Sequence, residues 1–276
     1  MANEDYVVVD EKTDMCESVA ARLASTLLFD LRHPSIRLAK MYLRFLVNIA
    51  RRERLSSEVL FWEHEYYRYA TARRHPWWWH LEYSADADKE LVNALDMLSK
   101  RFSERLRLAD IGSGPVTSFS EKIDTRKWDI VSVDPLADIY NRLNDEYGVE
   151  SPRCVRAFGE TLTSVFDRNS FHLVLSQNAI DHSESPCDFA SEMVSITKPG
   201  GLVCFYGFIK KGTADIWLGL HKWDIELVGN DLLVSNKDRS IFRQVITDRT
   251  RLEPFCLKLE GNNPDDKYVA IYEKKA

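Results

Sequence analysis

The stretch LADIGSGPVTSF, residues 108–119, constrains the fold of this chain more than any other part of it. An apolar run ends in an acid, Asp110, and two glycines follow one residue apart, Gly112 and Gly114. A strand that ends in such a turn is typical of open α/β sheets, in which ligands lie beyond the carboxyl ends of the strands. The stretch therefore predicts the first strand of an α/β domain, with a ligand-binding loop directly after it.

The chain after Arg105 alternates between strand-like and helix-like segments. Strands are predicted over residues 105–111, 128–134, 152–158, 171–177, 202–208, 254–261 and 267–275. Helices are predicted over residues 85–102, 116–124, 136–148, 187–198 and 240–251, with a hairpin over 224–236. This alternation indicates an α/β fold with a doubly wound, mostly parallel, seven-stranded Rossmann-like sheet.

The first part of the chain has a different pattern. Apolar residues recur at helical spacing from Cys16 to residue 72, and Pro34 starts a fresh helix. We therefore divide the chain into an N-terminal α-helical appendage or lid, residues 1–83, and a ligand-binding domain, residues 84–276. Three adjacent tryptophans, residues 77–79, lie near this boundary. We interpret them either as packing between the two parts or as the wall of a substrate pocket.

Composition narrows the function classes. The formal net charge is −6, and chains that bind bulk nucleic acid usually present a basic face, so no nucleic-acid partner is expected. No apolar run reaches the roughly 18–20 residues of a membrane span, and the acidic start is unlike a signal peptide. A cytoplasmic protein is therefore expected. The five cysteines have no CxxC pairing, and no tight metal-ligand spacing is present, so neither a disulfide framework nor a metal site is predicted.

Two cofactor classes compete for the glycine loop: dinucleotides and S-adenosylmethionine (SAM). A dinucleotide fingerprint needs a third glycine where this chain has Thr117. Asp110 would repel a pyrophosphate, whereas it suits the ammonium group of SAM. Asp134, 20 residues after Gly114, ends the second predicted strand and can accept both ribose hydroxyls. The predicted cofactor is therefore SAM.

A resemblance to a known family agrees with this prediction. The segments LADIGSGP, VSVDP, GETL, FHLVLSQNAIDH and TKPGGLV resemble, in this order and spacing, class I SAM-dependent methyltransferases. The longer phrases VDPLADIYNRL, NAIDHSESP and GLHKWDIEL are similar to a bacterial subgroup found with surface-polysaccharide and glycan assembly enzymes, and so is EVLFWEHEYYRY.

The resemblance implies a set of SAM-binding residues at the ends of four strands. The methionine end of SAM would lie against Asp110, Gly112, Ser113 and Gly114. The ribose would bind Asp134, and the adenine would lie between Pro135, Leu136, Gly159 and Glu160. The sulfonium would lie above Gln177 and Asn178. Two positions depart from the family pattern: Val116 replaces a glycine, and Phe158 replaces an acid at the adenine, which would then be held by packing and backbone contacts.

Two histidines are candidates for the chemistry at the methyl acceptor. His182 and Asp181 follow the fourth predicted strand, where an acceptor would enter, and histidine exchanges protons near neutral pH. We interpret His182 as a general base, or alternatively as a residue that only fixes the loop. His221 lies between Trp217 and Trp223 in sequence, which favours either a grip on a sugar or ordinary hairpin packing. A divalent metal on Asp181 and a neighbouring acid is a further alternative.

Together these features predict a SAM-dependent O-methyltransferase that methylates a sugar hydroxyl of a glycan or glycan precursor, as part of polysaccharide biosynthesis. The alternatives are a methyltransferase of another small metabolite, a nicotinamide oxidoreductase, or a non-catalytic SAM-fold binding or scaffold protein. The sequence makes no prediction of the oligomeric state.

Overall fold

The computed structural model describes residues 58–63, 65–66, 85–119, 127–217, 220–246, 251–260 and 266–275. The three adjacent tryptophans and most of the predicted N-terminal appendage lie outside these residues. The division of the chain at residue 83 therefore stays a prediction.

The helices and strands follow one another in the order expected of an α/β chain. A helical segment at residues 58–63 and 65–66 comes first. The α-helices that follow are α1 (Ala85–Arg101), α2 (Ala137–Tyr147), α3 (Pro186–Ile196) and the short α4 (Lys211–Ala214). The strands are β1 (Arg107–Ile111), β2 (Asp129–Val133), β3 (Phe171–Gln177), β4 (Thr197–Phe208), β5 (Asp224–Val228), β6 (Asp231–Ser235), β7 (Phe242–Gln244), β8 (Leu252–Glu260) and β9 (Lys267–Lys274). Short 3₁₀ turns occupy Gly159–Ser164 and Ile180–His182.

Six of these strands form one mixed sheet in the order β2-β1-β3-β4-β9-β8. Strands β1 to β4 pair in parallel, whereas β9 runs antiparallel to both β4 and β8. The chain moves outward from β1 to β2 and then returns to the other side of β1 with β3, so the strand order reverses next to β1. Ligands of open α/β sheets bind at such a reversal, beyond the carboxyl ends of the strands.

The main sheet has an apolar core on each of its faces. On one face, α1 presents Leu91, Ala94, Leu95 and Leu98 to the sheet, a helical i, i+3, i+4, i+7 stripe. On the other face, α3 and the small antiparallel sheet β5-β6-β7 pack against the strands. The side chains of β3 alternate between the two cores, with Leu173 and Leu175 in the first and Val174 in the second. This burial on both faces is what a parallel sheet requires.

The predicted Rossmann-like α/β fold is confirmed, but three predicted elements differ. The predicted third strand is reduced to one parallel bridge between Val155 and Val133. The side chain of Asn141 in α2 binds the backbone N–H and C=O of Cys154, both at 2.9 Å, and so takes those groups away from the sheet. The seven predicted strands therefore correspond, within the described residues, to six strands and this bridge.

The other two differences concern predicted helices. Within the predicted helix 240–251, residues 242–244 form β7, because their backbone pairs with β6 at the edge of the small sheet. Within the predicted helix 116–124, residues 116–119 are not helical. There, Asp110 accepts hydrogen bonds from the Thr117 hydroxyl and the Ser118 N–H, and such local bonds compete with a helix.

The N-terminal helical segment packs against α2. Trp62 lies edge-on to Tyr140, with ring centroids 5.9 Å apart. Glu63 pairs with Arg142 at 2.8 Å. The buried Tyr66 hydroxyl donates a hydrogen bond to Asn144, whose side-chain amide in turn donates to the carbonyl of Pro115 at 2.8 Å. These contacts tie the segment to the glycine loop. No helix among the described residues combines the length and apolar composition that crossing a membrane requires.

Candidate active site

The glycine loop lies in the crevice where the strand order reverses. Gly112 and Gly114 have left-handed backbone conformations, with φ of +71° and +64°. A Cβ atom on Gly112 would lie only 2.2 Å from the Cβ of Ala179, in the segment that follows β3. A Cβ atom on Gly114 would instead lie 3.8 Å from the Trp62 ring, an ordinary contact distance. The loop is therefore pressed against the end of β3 at Gly112 and covered by the N-terminal segment at Gly114.

Asp110 lies completely buried at the start of this loop. Its Oδ2 accepts hydrogen bonds from the Thr117 hydroxyl at 2.8 Å and the Ser118 N–H at 2.7 Å. Its Oδ1 is buried and has no hydrogen-bond partner among the described residues. Burial raises the pKa of Asp110 to about 6, although the two hydrogen bonds act in the opposite direction. A cationic donor at Oδ1 would satisfy this oxygen and favour the ionised carboxylate.

Asp134 directly follows β2, opposite the glycine loop. Its Oδ2 accepts the N–H of Gly114 at 3.2 Å, and its Oδ1 accepts the N–H of Leu136 at 2.9 Å. Burial raises the pKa of Asp134 to about 7 despite these bonds. Each carboxylate oxygen has a second lone pair, so these contacts leave room for further donors. Pro135 and Leu136 lie half-buried directly after it.

The residues expected at the adenine and the sulfonium lie after Val155 and β3. Gly159 is buried, and a Cβ there would overlap the ring of Phe189 at 2.0 Å. Glu160 accepts the N–H of Glu184 at 2.7 Å, so its carboxylate fixes the loop before α3. Gln177 ends β3, and its Oε1 is a second buried oxygen without a hydrogen-bond partner among the described residues.

Two further predicted cofactor residues are placed by the backbone. Asn178 has a left-handed conformation with φ of +49°, and its N–H donates to the carbonyl of Tyr206 at 2.9 Å. Ser113 is buried, and its hydroxyl donates to the carbonyl of Gly114 at 3.1 Å.

The predicted catalytic residues form one hydrogen-bonded cluster, although they come from two distant segments. His221 Nδ1 lies 2.6 Å from Asp181 Oδ2, 40 residues away in sequence. His182 Nε2 lies 3.1 Å from the same His221 Nδ1. On its other side, His221 Nε2 contacts Asp215 Oδ2 at 3.0 Å. Asp181 and His182 are neighbours in the sequence, but the sequence did not indicate that Asp215 also belongs to this cluster.

The charges of this cluster set the two histidines apart. Burial lowers the pKa of His182 to about 4, more than the charge of Asp181 raises it. Burial also lowers the pKa of His221, but hydrogen bonds to Asp181 and Asp215 outweigh burial and raise it to about 9. Burial alone would raise the pKa of Asp181, but the charge of His182 and the hydrogen bond from His221 hold it below its ordinary value.

Backbone contacts hold the two segments of the cluster together. The N–H of Lys222 donates to the carbonyl of Asp181 at 3.0 Å, and the indole N–H of Trp223 donates to the carbonyl of Ser183 at 2.9 Å. Trp223 directly precedes β5 and is buried in the core. The hypothesis that Trp223 forms a ring platform for a sugar beside His221 is therefore wrong, because its ring is used for packing. Trp217 lies half-buried beside Gly212.

The N-terminal segment adds two residues that the sequence did not single out. Glu58 Oε1 accepts the indole N–H of Trp62 at 2.7 Å. Burial raises the pKa of Glu58, although the hydrogen bond from Trp62 and the charge of His221 act in the opposite direction, and the charge of Glu58 helps to raise the pKa of Asp134. Glu58 is thus electrostatically coupled to the cofactor side and to the histidine cluster. The i, i+4 spacing of Glu58 and Trp62 was the available signal, but helical spacing by itself does not show which surface a helix covers.

Comparison with known proteins agrees with this geometry. Residues 109–205 match the family described as a methyltransferase domain. Over this segment the chain is similar to SAM-dependent methyltransferases. Uncharacterized methyltransferases of Mycobacterium tuberculosis are 30% identical to it over 115 residues, which are 41% of this chain and 40% of theirs. The match thus spans less than half the length of these curated relatives.

Solved structures with similar folds share little sequence with this chain. A protein of Pyrococcus horikoshii has 17% identity and a TM-score of 0.42, over 75% of this chain and 95% of its own. The 1,6-didemethyltoxoflavin-N1-methyltransferase of Burkholderia thailandensis, solved with S-adenosylhomocysteine, has 13% identity and a TM-score of 0.42, over 80% of this chain and 89% of its own.

SAM is the cofactor of this domain class, and the residues of the crevice fit it. Two of the buried oxygens without a hydrogen-bond partner among the described residues, Asp110 Oδ1 and Gln177 Oε1, lie at positions where the sequence placed the methionine end and the sulfonium. Both are acceptors, and the first belongs to an acid that a cation would keep ionised. When bound, SAM supplies an electrophilic methyl group on a positively charged sulfur.

We predict that Gly112→Ala is much more destabilising than Gly114→Ala. Both positions have the same left-handed strain, which costs an alanine about 1–2 kcal/mol. Only Gly112 also meets Ala179, at 2.2 Å, and such overpacking adds about 1–3 kcal/mol. Urea unfolding of the two variants measures the difference directly. Equal losses would show that the contact with Ala179 yields at no cost.

Proposed function

We propose that this chain is an O-methyltransferase that transfers the methyl group of SAM to a sugar hydroxyl of a glycan or glycan precursor. The observation that carries the proposal is the Asp181–His182–His221 cluster, which begins four residues after the end of β3, next to the cofactor crevice. Methyl transfer to oxygen needs a group that deals with the hydroxyl proton, and this cluster offers imidazole and carboxylate groups for that purpose. The likeness of the sequence phrases to glycan-assembly enzymes supports the sugar acceptor. Another small metabolite is the second candidate.

The proposed cofactor contacts follow the strand ends. Asp110 would take the ammonium group of SAM, and backbone N–H groups of the glycine loop would take its carboxylate. Asp134 would accept the ribose hydroxyls. Pro135, Leu136, Gly159 and Glu160 would surround the adenine, and Gln177 and Asn178 would lie under the sulfonium. The exposed Phe158 ring is available to pack on the adenine.

The reaction is an in-line displacement, and much of its acceleration can come from holding donor and acceptor aligned. The oxygen–hydrogen bond of the acceptor breaks, its proton passes to His182, and the oxygen takes the methyl group as S-adenosylhomocysteine leaves. Asp181 would orient the loop, and His221 would contact the acceptor. The side chain of His182 is 27% exposed, which leaves it accessible to a substrate.

The N-terminal region, residues 1–83, would act as a lid over this site. Trp62 lies over Gly114, and Glu58 is coupled to both Asp134 and His221. These contacts support a lid that covers both halves of the crevice. A cytoplasmic location also remains a prediction.

We predict that Asp134 makes SAM affinity depend on pH. In the SAM-free protein its pKa is raised to about 7, and ribose hydroxyls donate to the ionised form, so affinity should rise with pH up to about 7. One linked proton gives at most about a tenfold change per pH unit. Asp134→Asn should bind SAM about 10–100-fold more weakly at pH 8. The SAM affinity of this variant should no longer change with pH above about 6, because Asp110, the remaining buried acid of the cofactor side, has a pKa of about 6.

Calorimetric titration with SAM across this pH range measures both effects. Asp138→Asn is the matched control, because Asp138 lies in the first turn of α2, is exposed and pairs with Arg156 at 3.2 Å. Wild-type affinity in a folded Asp134→Asn protein would remove the ribose assignment.

We predict that a screen with labelled SAM will find the acceptor among nucleotide sugars or extracted glycans. Release of S-adenosylhomocysteine should depend on the acceptor, which separates an enzyme from a scaffold. Labelled product from another class of metabolite, with none from sugars, would favour the second candidate.

We predict that His182→Ala and His221→Ala differ at saturating acceptor. Loss of a general base lowers turnover about 10²–10⁴-fold and leaves SAM affinity nearly unchanged, so His182→Ala should be almost inactive. His221→Ala should mainly raise KM for the acceptor. His172→Asn is the control, because His172 also pairs with a carboxylate, Glu104 at 2.9 Å, elsewhere in the fold. The reverse pattern would exchange the two roles.

A further inference from the structure

The Asp181–His182–His221 cluster brings three potential metal-ligand atoms to one point. Asp181 Oδ2 lies 2.6 Å from His221 Nδ1 and 3.6 Å from His182 Nε2. The two ring nitrogens lie 3.1 Å apart. Each of the three residues offers one possible ligand atom, and these atoms all lie within 4.8 Å of one another. No other group of three or more histidine, cysteine or carboxylate side chains among the described residues is arranged in this way.

These distances agree with a coordination sphere. A tetrahedral ion with bonds of about 2.0–2.1 Å holds its ligand atoms about 3.3 Å from one another. The three observed separations, 2.6, 3.1 and 3.6 Å, lie on both sides of that value. Shifts of less than about 1 Å would therefore admit an ion between the three atoms.

The groups behind the cluster are arranged like the outer shell of a metal site. Histidine ligands usually donate their second ring nitrogen to a carboxylate, which fixes the ring. His221 directs Nε2 to Asp215 Oδ2 at 3.0 Å, and Asp215 is itself held by Lys211 at 2.9 Å. The backbone bond from Lys222 to Asp181 fixes the two ligand-bearing segments against each other.

We propose that Asp181 Oδ2, His182 Nε2 and His221 Nδ1 together bind one divalent cation of the zinc class. Two imidazoles and one carboxylate favour Zn²⁺ or a similar transition metal over Mg²⁺ and Ca²⁺, which prefer oxygen ligands. The carboxylates of Asp181 and Asp215 balance the charge of a divalent ion. Such a site leaves coordination positions open for an exogenous oxygen.

The proposal concerns the same site as the proposed function, rests on it only for its catalytic use, and replaces the proton transfer to His182. An acceptor hydroxyl on the cation would lose its proton more easily, since metal binding lowers the pKa of bound oxygen ligands. The proton would pass to water, the oxygen would take the methyl group, and S-adenosylhomocysteine would leave. His182 would then be a ligand instead of the base. The rival is a metal-free cluster in which protonated His221 donates its Nδ1–H to Asp181 and its Nε2–H to Asp215.

The test uses chelator-treated, full-length protein without acceptor. Calorimetric titrations with Zn²⁺ and with Mg²⁺, and the visible absorption of the Co²⁺ form, report binding directly. We expect the cluster to bind Zn²⁺ and Co²⁺ much more tightly than Mg²⁺. X-ray absorption of the Zn²⁺ form should show two imidazole ligands. This measurement uses the wild-type protein, so it does not depend on whether a variant folds.

Variants then assign the site. Asp181→Asn, His182→Ala and His221→Ala should each weaken Zn²⁺ binding at least about 100-fold, and Asp215→Asn about 10–100-fold as an outer-shell change. His172→Asn should bind like the wild type. Circular dichroism and SAM affinity show whether each variant has folded.

Two results would overturn the proposal. One is a wild-type protein that binds no Zn²⁺ or Co²⁺. The other is Zn²⁺ binding that is unchanged in folded His221→Ala and Asp181→Asn. Neither outcome contradicts the proposed methyl transfer, because that activity is tested by a separate measurement. This measurement is the acceptor-dependent turnover of chelator-treated protein. If that turnover is absent and Zn²⁺ still binds, the proposed function fails and the metal site remains.

Discussion

The close contact between Gly112 and Ala179 is the constraint on which the candidate site depends. Parallel pairing of β1 and β3 places the ends of the two strands side by side, and the missing Cβ of Gly112 lets their loops touch. Ala179 stands directly before the 3₁₀ turn that carries Asp181 and His182. The position of the glycine loop and that of the histidine cluster are therefore set by the same contact. A bulkier residue at 112 would separate the cofactor side from the acceptor side.

The two sides of the crevice differ in how their buried acids are compensated. On the cofactor side, burial raises the pKa values of Asp110 and Asp134, and their partners are neutral N–H and hydroxyl groups. On the acceptor side, imidazole groups hold the pKa of Asp181 and Asp215 below the ordinary range. The first side thus suits a positively charged ligand, whereas on the second side imidazole groups compensate the carboxylates as long as no metal ion is bound. SAM, with a sulfonium and an ammonium group, suits the first side.

Much of the main sheet could be predicted from the sequence, and the errors have local causes. Strand β3 was predicted over its observed range, because a short, mostly apolar run with Leu173, Val174 and Leu175 at its centre lies between polar turns. Helix α2 was predicted to within a residue, and it ends at Gly148 in the left-handed conformation that favours glycine. Asn141 bonds Cys154 and so reduces the third predicted strand to a bridge, and no periodicity reveals such a contact. Likewise, β7 exists because β6 offers it a free edge.

The sequence by itself determined the α/β fold, the glycine loop, the acids at the ends of β1 and β2, and the choice of SAM over a dinucleotide. Each depends on residues close in the chain, where spacing and hydrogen-bonding capacity can be read directly. Only the tertiary structure decided that His221 and Asp215 join Asp181 and His182, and that Glu58 and Trp62 reach the crevice. The contacts of His221 with His182 and Asp181 span 39 and 40 residues of the chain, and they arise from packing between elements. Spacing along a chain carries no information about such packing, so the cluster became visible only in three dimensions.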